Sequence, residues 1–313
     1  GLLNTALYTQ IELSPLKKLK LVAALRYDRI DYNYDNSLDS TAFSGAPDEK
    51  NGFDYITPKI GATYDFGKGR GMYANYSIGF SPPEVSELYR GVSVPVLKPS
   101  TFKNHEVGGW FSFHKKKGYV EVSLYQLNGI NEIISVQQDD GSSEKENAGT
   151  TLHQGVEYKL TYSPIKSFNI RVSGVNARHV FVDFVEDGDI FNGNKMNAAP
   201  SFIGNTEIIY KPSFLKGSRI GLEWQHLGKY FLDAENSEEY PGFNLINLRV
   251  GYKIKAFNIW VNVLNLTNEN YATIASKSKW GKSYRVGNPR TFNIGIGYKF
   301  SGNKKQNKSD KKN

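Results

Sequence analysis

Hydrophobic positions along this chain recur at every second residue rather than every third or fourth. Between Thr291 and Phe300, the large residues Phe292, Ile294, Ile296, Tyr298 and Phe300 share one parity, while Thr291, Asn293, Gly295, Gly297 and Lys299 hold the other. Successive side chains of an extended strand point to opposite faces, so the pattern predicts a strand with one greasy face and one small or polar face. The same alternation sets Ile246, Leu248, Val250, Tyr252 and Ile254 against Asn247, Arg249, Gly251 and Lys253. It recurs in Val120, Val122 and Leu124 against Glu121, Ser123 and Tyr125, and in Val156, Tyr158, Leu160 and Tyr162 against Glu157, Lys159 and Thr161. Helical periodicity is nearly absent, with one turn expected between Pro83 and Tyr89 inside a loop.

About thirteen strands are predicted, near 3–13, 19–32, 53–66, 71–80, 102–114, 118–136, 152–163, 167–184, 201–211, 218–232, 243–254, 256–267 and 290–300. Tight connections such as Ser14–Lys18, Gly67–Gly71, Lys115–Gly118 and Lys255–Ala256 alternate with long polar ones, roughly 33–52, 81–101, 137–151, 185–200, 233–242 and 268–288. In an antiparallel meander this alternation collects the short turns at one end of the sheet and the long loops at the other. Most predicted strands run to ten residues or more. Sandwich strands are usually ~5–6 residues long, whereas a strand tilted about 45° needs ~9–11 to cross a bilayer. The expected fold class is therefore all-β, an antiparallel transmembrane β-barrel, with a soluble β domain as the alternative. The greasy face would meet lipid, and the face bearing Glu106, Glu121, Glu157, Glu223, Arg171 and Arg249 would line a wet lumen.

Composition sharpens this picture. The 313 residues are 13% aromatic but only 39% hydrophobic, an excess of rings that girdles at the two membrane surfaces would use. Tyr8, Tyr27, Tyr64, Tyr76, Tyr158, Tyr162, Tyr210, Tyr252, Tyr298 and Phe300 are the expected girdle residues. The absence of cysteine excludes a disulfide framework, a thiolate metal site and a cysteine nucleophile. No apolar run approaches the ~18 residues of a transmembrane helix. The net charge is +8, and half of it falls in residues 301–313, where five lysines face one aspartate. That segment reads as a basic disordered tail following a barrel domain over 1–300. No basic helix, zinc spacing or RNA-binding strand motif accompanies the charge, so no nucleic-acid partner is expected.

Particular motifs add a family. The run Tyr76–Gly91 (YSIGFSPPEVSELYRG) precedes Leu97–Pro99 (LKP) and Asn104–Gly108 (NHEVG). Farther on stand Asn147–Gly149 (NAG), Gln154–Glu157 (QGVE), Asn262–Asn268 (NVLNLTN) with Tyr271, and Asn288–Arg290 leading into the last strand. In this order, over roughly 75–300, they resemble the C-terminal part of a TonB-dependent outer-membrane receptor.

The resemblance implies a barrel of about 22 strands with a plugged lumen, of which this chain would be the C-terminal portion, its remaining strands, plug and TonB-binding segment missing. A complete smaller barrel acting as a passive channel or adhesin is the alternative. It further implies outer-membrane location and energised import of a bulky, scarce nutrient, foremost a ferric siderophore, with cobalamin, glycan or haem behind it. The implied partners are the TonB-ExbB-ExbD complex, the barrel-assembly machinery, lipopolysaccharide and other outer-membrane lipid, and the ferric siderophore or similar ligand. No enzyme activity and no cofactor are implied, iron entering only as a chelate substrate.

Candidate ligand-binding residues in or beside the long loops are Tyr89, Arg90, His153, His179, Trp280, Tyr284 and Arg285. Rings offer stacking area and arginine a planar donor fork for carboxylate or catecholate oxygens; the alternative for each is a girdle ring or a lipid-phosphate contact. The five histidines show no metal-ligand spacing, and none lies between Ser81 and Pro99, where a haem receptor of this family would place one. Loop carboxylates such as Asp183, Glu186 and Asp189 stand near His179 without any nucleophile spacing. Ile294, Ile296, Tyr298 and Phe300 match the family's C-terminal assembly signal.

Overall fold

A computed structural model describes the whole chain except residues 38–46, 90–93, 138–142, 187–188, 279 and 301–313. The proposed tail and Arg90 therefore lie outside the described residues. In chain order the first strands are β1 (Leu2–Leu16), β2 (Leu19–Tyr34), β3 (Glu49–Gly67) and β4 (Arg70–Ser81). A single helical turn, α1 (Val85–Leu88), precedes β5 (Ser100–Phe113), β6 (Gly118–Ile130), β7 (Ile133–Gln137), β8 (Ser143–Asn147) and β9 (Thr150–Ile165). Then come β10 (Phe168–Asp183), β11 (Val185–Glu186), β12 (Asp189–Ile190), β13 (Phe202–Tyr210), β14 (Ser218–Leu227), β15 (Tyr230–Phe231) and β16 (Glu239–Tyr240). The last are β17 (Phe243–Ile254), β18 (Phe257–Leu264), β19 (Ala272–Ser278), β20 (Gly281–Val286) and β21 (Thr291–Tyr298).

Thirteen of these form one antiparallel sheet in sequence order, β1-β2-β3-β4-β5-β6-β9-β10-β13-β14-β17-β18-β21. The other eight form four two-stranded hairpins within the long connections. Strand number and order match the periodicity, and β1 and β21 are the sheet's two edges.

Register settles which face is which. Val107, Leu124 and Val156 are aligned across β5, β6 and β9, and Leu222, Leu248 and Val263 across β14, β17 and β18. This face is open: Leu124 is 52% exposed, Ile60 56% and Ile294 72%. On the opposite face the Glu207 carboxylate pairs with Arg171 and lies 3.7 Å from Arg249, which also reaches Glu223 at 2.7 Å. Asn247 and Asn205 donate to the same Glu223 carboxylate, at 3.0 and 3.3 Å. That face bounds a cavity of about 470 Å³ running from Tyr73 on β4 to Asn205 on β13. Polar groups that find charge partners inside and apolar groups left open outside are the reverse of a water-soluble sheet and the arrangement of a membrane barrel wall.

Four details depart from the sequence reading, the first being that the strand expected over 218–232 ends at Leu227, with Tyr230–Phe231 paired in a separate hairpin. The strand expected over 118–136 breaks after Ile130, where Asn131 takes a left-handed conformation (φ 56°) and β7 starts a separate hairpin. Asn265, at φ 50°, likewise ends β18 short of 267. Tyr8, expected in a girdle, pairs with Arg26 on the lumen face, because Leu3, Leu7, Ile11 and Leu13 take the outward parity of β1. Some glycines in the wall make room for rings: a Cβ on Gly71 or Gly295 would fall 2.1 or 2.2 Å from the ring of Trp110 or Trp260 on the paired strand.

The buried apolar clusters are not in the wall but at the long-loop end. One joins Ile30, Tyr32, Leu88, Tyr89 and Leu97; a second joins Ala148, Phe181, Phe184, Phe191 and Met196; a third joins Tyr230, Leu232, Tyr240, Ala272 and Ala275. Among the described residues no helix is long and apolar enough to cross a membrane.

Candidate functional site at the lumen mouth

At the long-loop end of β9 and β10, the lumen parity that carries Glu157, Lys159, Arg171 and Ser173 lower down also carries Thr151, His153 and His179. His153 and His179 are direct cross-strand partners, and their Nδ1 atoms lie 2.8 Å apart. The Nε2 of His153 is 3.0 Å from a Glu132 oxygen, which also accepts the Thr151 hydroxyl at 2.6 Å. Glu132 sits in the turn between β6 and β7, so the cluster ties a loop hairpin to the wall. Thr151 is fully buried, and the side chains of His153 and Glu132 are 13% and 21% exposed.

The chemistry is constrained by donor counting. Burial pushes the Glu132 carboxyl up, but hydrogen bonds from His153 and Thr151 outweigh it and hold it below its ordinary value. A carboxylate only accepts, so His153 Nε2 carries a hydrogen. If His153 is neutral, its Nδ1 accepts from His179 and leaves His179 Nε2 a bare lone pair. If His153 is protonated, it donates through both nitrogens and His179 Nε2 becomes a donor. The pair thus presents either an acceptor or a donor through one ring nitrogen that has no protein partner among the described residues.

The other sequence candidates are dispersed. Tyr89 is buried, its ring stacked on Tyr34 at 4.4 Å and its hydroxyl accepting from Asn51 at 2.9 Å, so it braces the rim rather than opening to the mouth. Trp280, Tyr284 and Arg285 lie on the β19–β20 hairpin, with Trp280 81% exposed. That hairpin is docked by tyrosines: Tyr240 Oη bonds both the N–H and the C=O of Ala272, at 2.9 and 3.1 Å, and Tyr230 Oη accepts from Ala275 N–H at 3.1 Å. Lys277 reaches Asp233 at 2.7 Å, and Lys282 reaches Glu238 at 3.1 Å. Burial raises the Asp233 carboxyl, yet hydrogen bonds from Lys277 and Ser237 leave it lowered overall. Ile294, Ile296, Tyr298 and Phe300 form an exposed outward row at the edge strand. Glu132 and Thr151 escaped the sequence reading. Thr151 shares the parity of His153 and was legible on that ground, whereas nothing local separates Glu132 from other loop acids. Among the described residues no group of three or more His, Asp or Glu could hold a metal ion.

Comparison with known proteins places this architecture. A family model described as TonB dependent receptor-like, beta-barrel, matches residues 3–266. The chain is 21% identical to the metal-pseudopaline receptor CntO of Pseudomonas aeruginosa over 244 residues, covering 77% of this chain and 33% of that receptor. It is 21% identical to the ferrioxamine B receptor of Salmonella typhimurium over 277 residues, covering 86% of this chain and 37% of that receptor. The chain thus spans about a third of the length of the curated relatives it matches. Among solved structures, the siderophore receptor PiuA from Acinetobacter baumannii superposes with a TM-score of 0.75 at 18% identity, over 96% of this chain and 43% of that one.

Proposed function

The chain belongs to the TonB-dependent receptor β-barrel family, whose members are outer-membrane transporters rather than enzymes, and from that premise we propose that it is part of a receptor importing a ferric siderophore. The siderophore receptors among its relatives support this substrate class, with cobalamin, glycan or haem as the outcomes to exclude. The observation that carries the reading is the division of the sheet into an outward apolar face and a charge-paired lumen face, crowned by loops built on their own cores. The open edges β1 and β21 would pair with further strands, because unpaired backbone groups cannot face lipid; a plug and a TonB-binding segment would complete the machine, driven by TonB-ExbB-ExbD.

In this reading the ligand meets the rim first, at Trp280, Tyr284 and Arg285, and then the His153–His179 pair below. Iron arrives within its own chelator, so His179 Nε2 meets a hydroxyl or carbonyl of the chelate rather than the metal. The test is uptake of radiolabelled ferric siderophores by a strain expressing the full-length receptor under iron limitation. Uptake abolished by deleting the gene and by deleting TonB supports the proposal. Uptake that persists without TonB, or labelled cobalamin entering in place of iron chelates, defeats it. A triple Ala variant of Trp280, Tyr284 and Arg285 that folds normally yet binds with unchanged affinity removes that hairpin from the site.

A further inference from the structure

The polar chain at the lumen mouth runs from Thr151 and Glu132 through His153 to His179 and ends in one open ring nitrogen. The wall makes room for it. Gly129 pairs with Thr151 across β6 and β9, and a Cβ there would fall 2.2 Å from the Thr151 hydroxyl oxygen and 3.0 Å from a Glu132 oxygen. A side chain at 129 would crowd the contact that fixes His153. Along the lumen parity of β10, His179 is flanked by Ala177 and by Phe181, which is buried in a rim cluster. Leu127 is the β6 partner of His153. These neighbours are apolar, so none of them corrects a hydrogen bond of the wrong sense at the open nitrogen.

Few charges bear on the pair. Glu132 reaches both rings. Of the other titratable groups around it, Tyr125 covers Gly155 below His153, Glu157 lies one lumen position lower, and Asp183 stands at the end of β10. Lys195 neighbours Met196, whose N–H bonds the His179 carbonyl at 3.0 Å, but its ammonium turns to the Phe231 ring. A proton gained by either ring has one outcome at the open end. On His153 it makes both nitrogens donors, so His179 accepts at Nδ1 and holds its own hydrogen on Nε2. On His179 it places hydrogens on both nitrogens directly. Without it Nε2 is bare, because Glu132 keeps the hydrogen of neutral His153 on the far side of that ring. His179 Nε2 thus reports the charge of the pair, which imidazoles change between about pH 5 and 8.

We propose that His179 sorts solutes entering the lumen by the hydrogen-bond sense of their periphery: the neutral pair selects a hydroxyl or N–H donor, and the singly protonated pair selects a carboxylate or carbonyl. A partner of the wrong sense sets two lone pairs or two hydrogens face to face. Both groups are then left unsatisfied away from water, which costs more than the right partner gains. His153 and Glu132 are positioning residues that fix the sense, and His179 alone meets the solute. That the solute is an iron chelate rests on the import reading; the reversal of sense does not.

The test labels histidine with nitrogen-15 in the full-length receptor, inserts it in vesicles and titrates it from about pH 8 to about pH 5 by NMR. His179→Gln assigns the His179 signals. The Nε2 signal is expected to move from the bare to the protonated range of imidazole in one step. At the upper end millimolar catechol, an O–H donor, should perturb Nε2 and formate should not. At the lower end formate, read at Nε2, should bind about threefold to tenfold more tightly than at the upper. Glu132→Gln withdraws the anion and should move the midpoint to lower pH, carrying the formate response with it; a role confined to holding the loop would leave the midpoint in place. An Nε2 that stays in one state throughout, formate binding equal at both ends, or an unmoved midpoint in Glu132→Gln overturns the sorting. Reversal of sense in a receptor that takes up no iron chelate would leave the sorting intact and defeat the import reading, so the two fail separately.

Discussion

In the wall, Leu124, Leu222 and Ile294 stand outward and open while Glu207, Glu223, Arg171 and Arg249 turn inward and pair. In the rim the order reverses: Phe181, Leu88 and Leu232 are closed away, and charges such as Lys282 and Glu238 lie at the surface. One chain thus follows two rules for its apolar residues, separated by only a few residues along each strand. The wall's order suits a lipid surround, where outward apolar groups lose nothing and strand pairing satisfies the backbone. The rim's order is that of a water-soluble domain, in which burial of side chains holds irregular loops in place.

If that division is real, substitutions on the two sides should fail differently. The largest effect is expected from Phe181→Ala, which empties the centre of a rim cluster at a cost of about 3–5 kcal/mol. Limited proteolysis should then cut between Phe191 and Met196, which pack in the same cluster, while barrel mobility on gels stays that of wild type. Leu124→Arg addresses the wall and should cost about 2–4 kcal/mol if it lies near the bilayer midplane. Its defect should appear as reduced folding into vesicles in a urea titration, with the rim's protease pattern unchanged in the folded fraction.

Smaller effects refine the picture. Glu223→Ala removes an acceptor shared by Arg249, Asn247 and Asn205 and should cost about 1.5–3 kcal/mol, again read by urea titration in vesicles. Asp233→Asn breaks the Lys277 contact and should cost less than about 1 kcal/mol, visible only as faster hydrogen exchange in the β19–β20 hairpin. Acid should reproduce that last change. Because Asp233 and Glu132 are held below their ordinary values, their contributions are whole above the unfolded carboxyl range and vanish as pH falls through the lowered folded values. Acidification should therefore loosen the rim, and Asp233→Asn should flatten the pH dependence at β19–β20.

The wall was legible in the sequence because its signal is strictly local. A two-residue period in Phe292–Phe300 or Ile246–Ile254 gives the strand and both its faces at once. The strand count and the face of Glu223 and Arg249 followed from that alone. The rim was largely hidden because its contacts join distant segments. Nothing near Tyr89 shows that Tyr34 will lie under it, and no pattern tells Glu132 to meet His153. Breaks such as Asn131 depend on a left-handed backbone that asparagine tolerates but does not announce. His153 and His179 stood out by residue type; that they meet depended on the register of β9 and β10.

The central claim is the orientation of the sheet, and the chain offers a direct test because it contains no cysteine. Single cysteines placed at Leu124, Leu222, Glu157 and Arg249 in the full-length receptor, inserted in vesicles, can be probed from both sides of the wall. Cysteines at positions 124 and 222 should be quenched by brominated acyl chains when carrying a fluorophore and should resist a charged thiol reagent. Those at 157 and 249 should react with the charged reagent and escape quenching. The reverse pattern, or equal water access on both faces, would contradict the account.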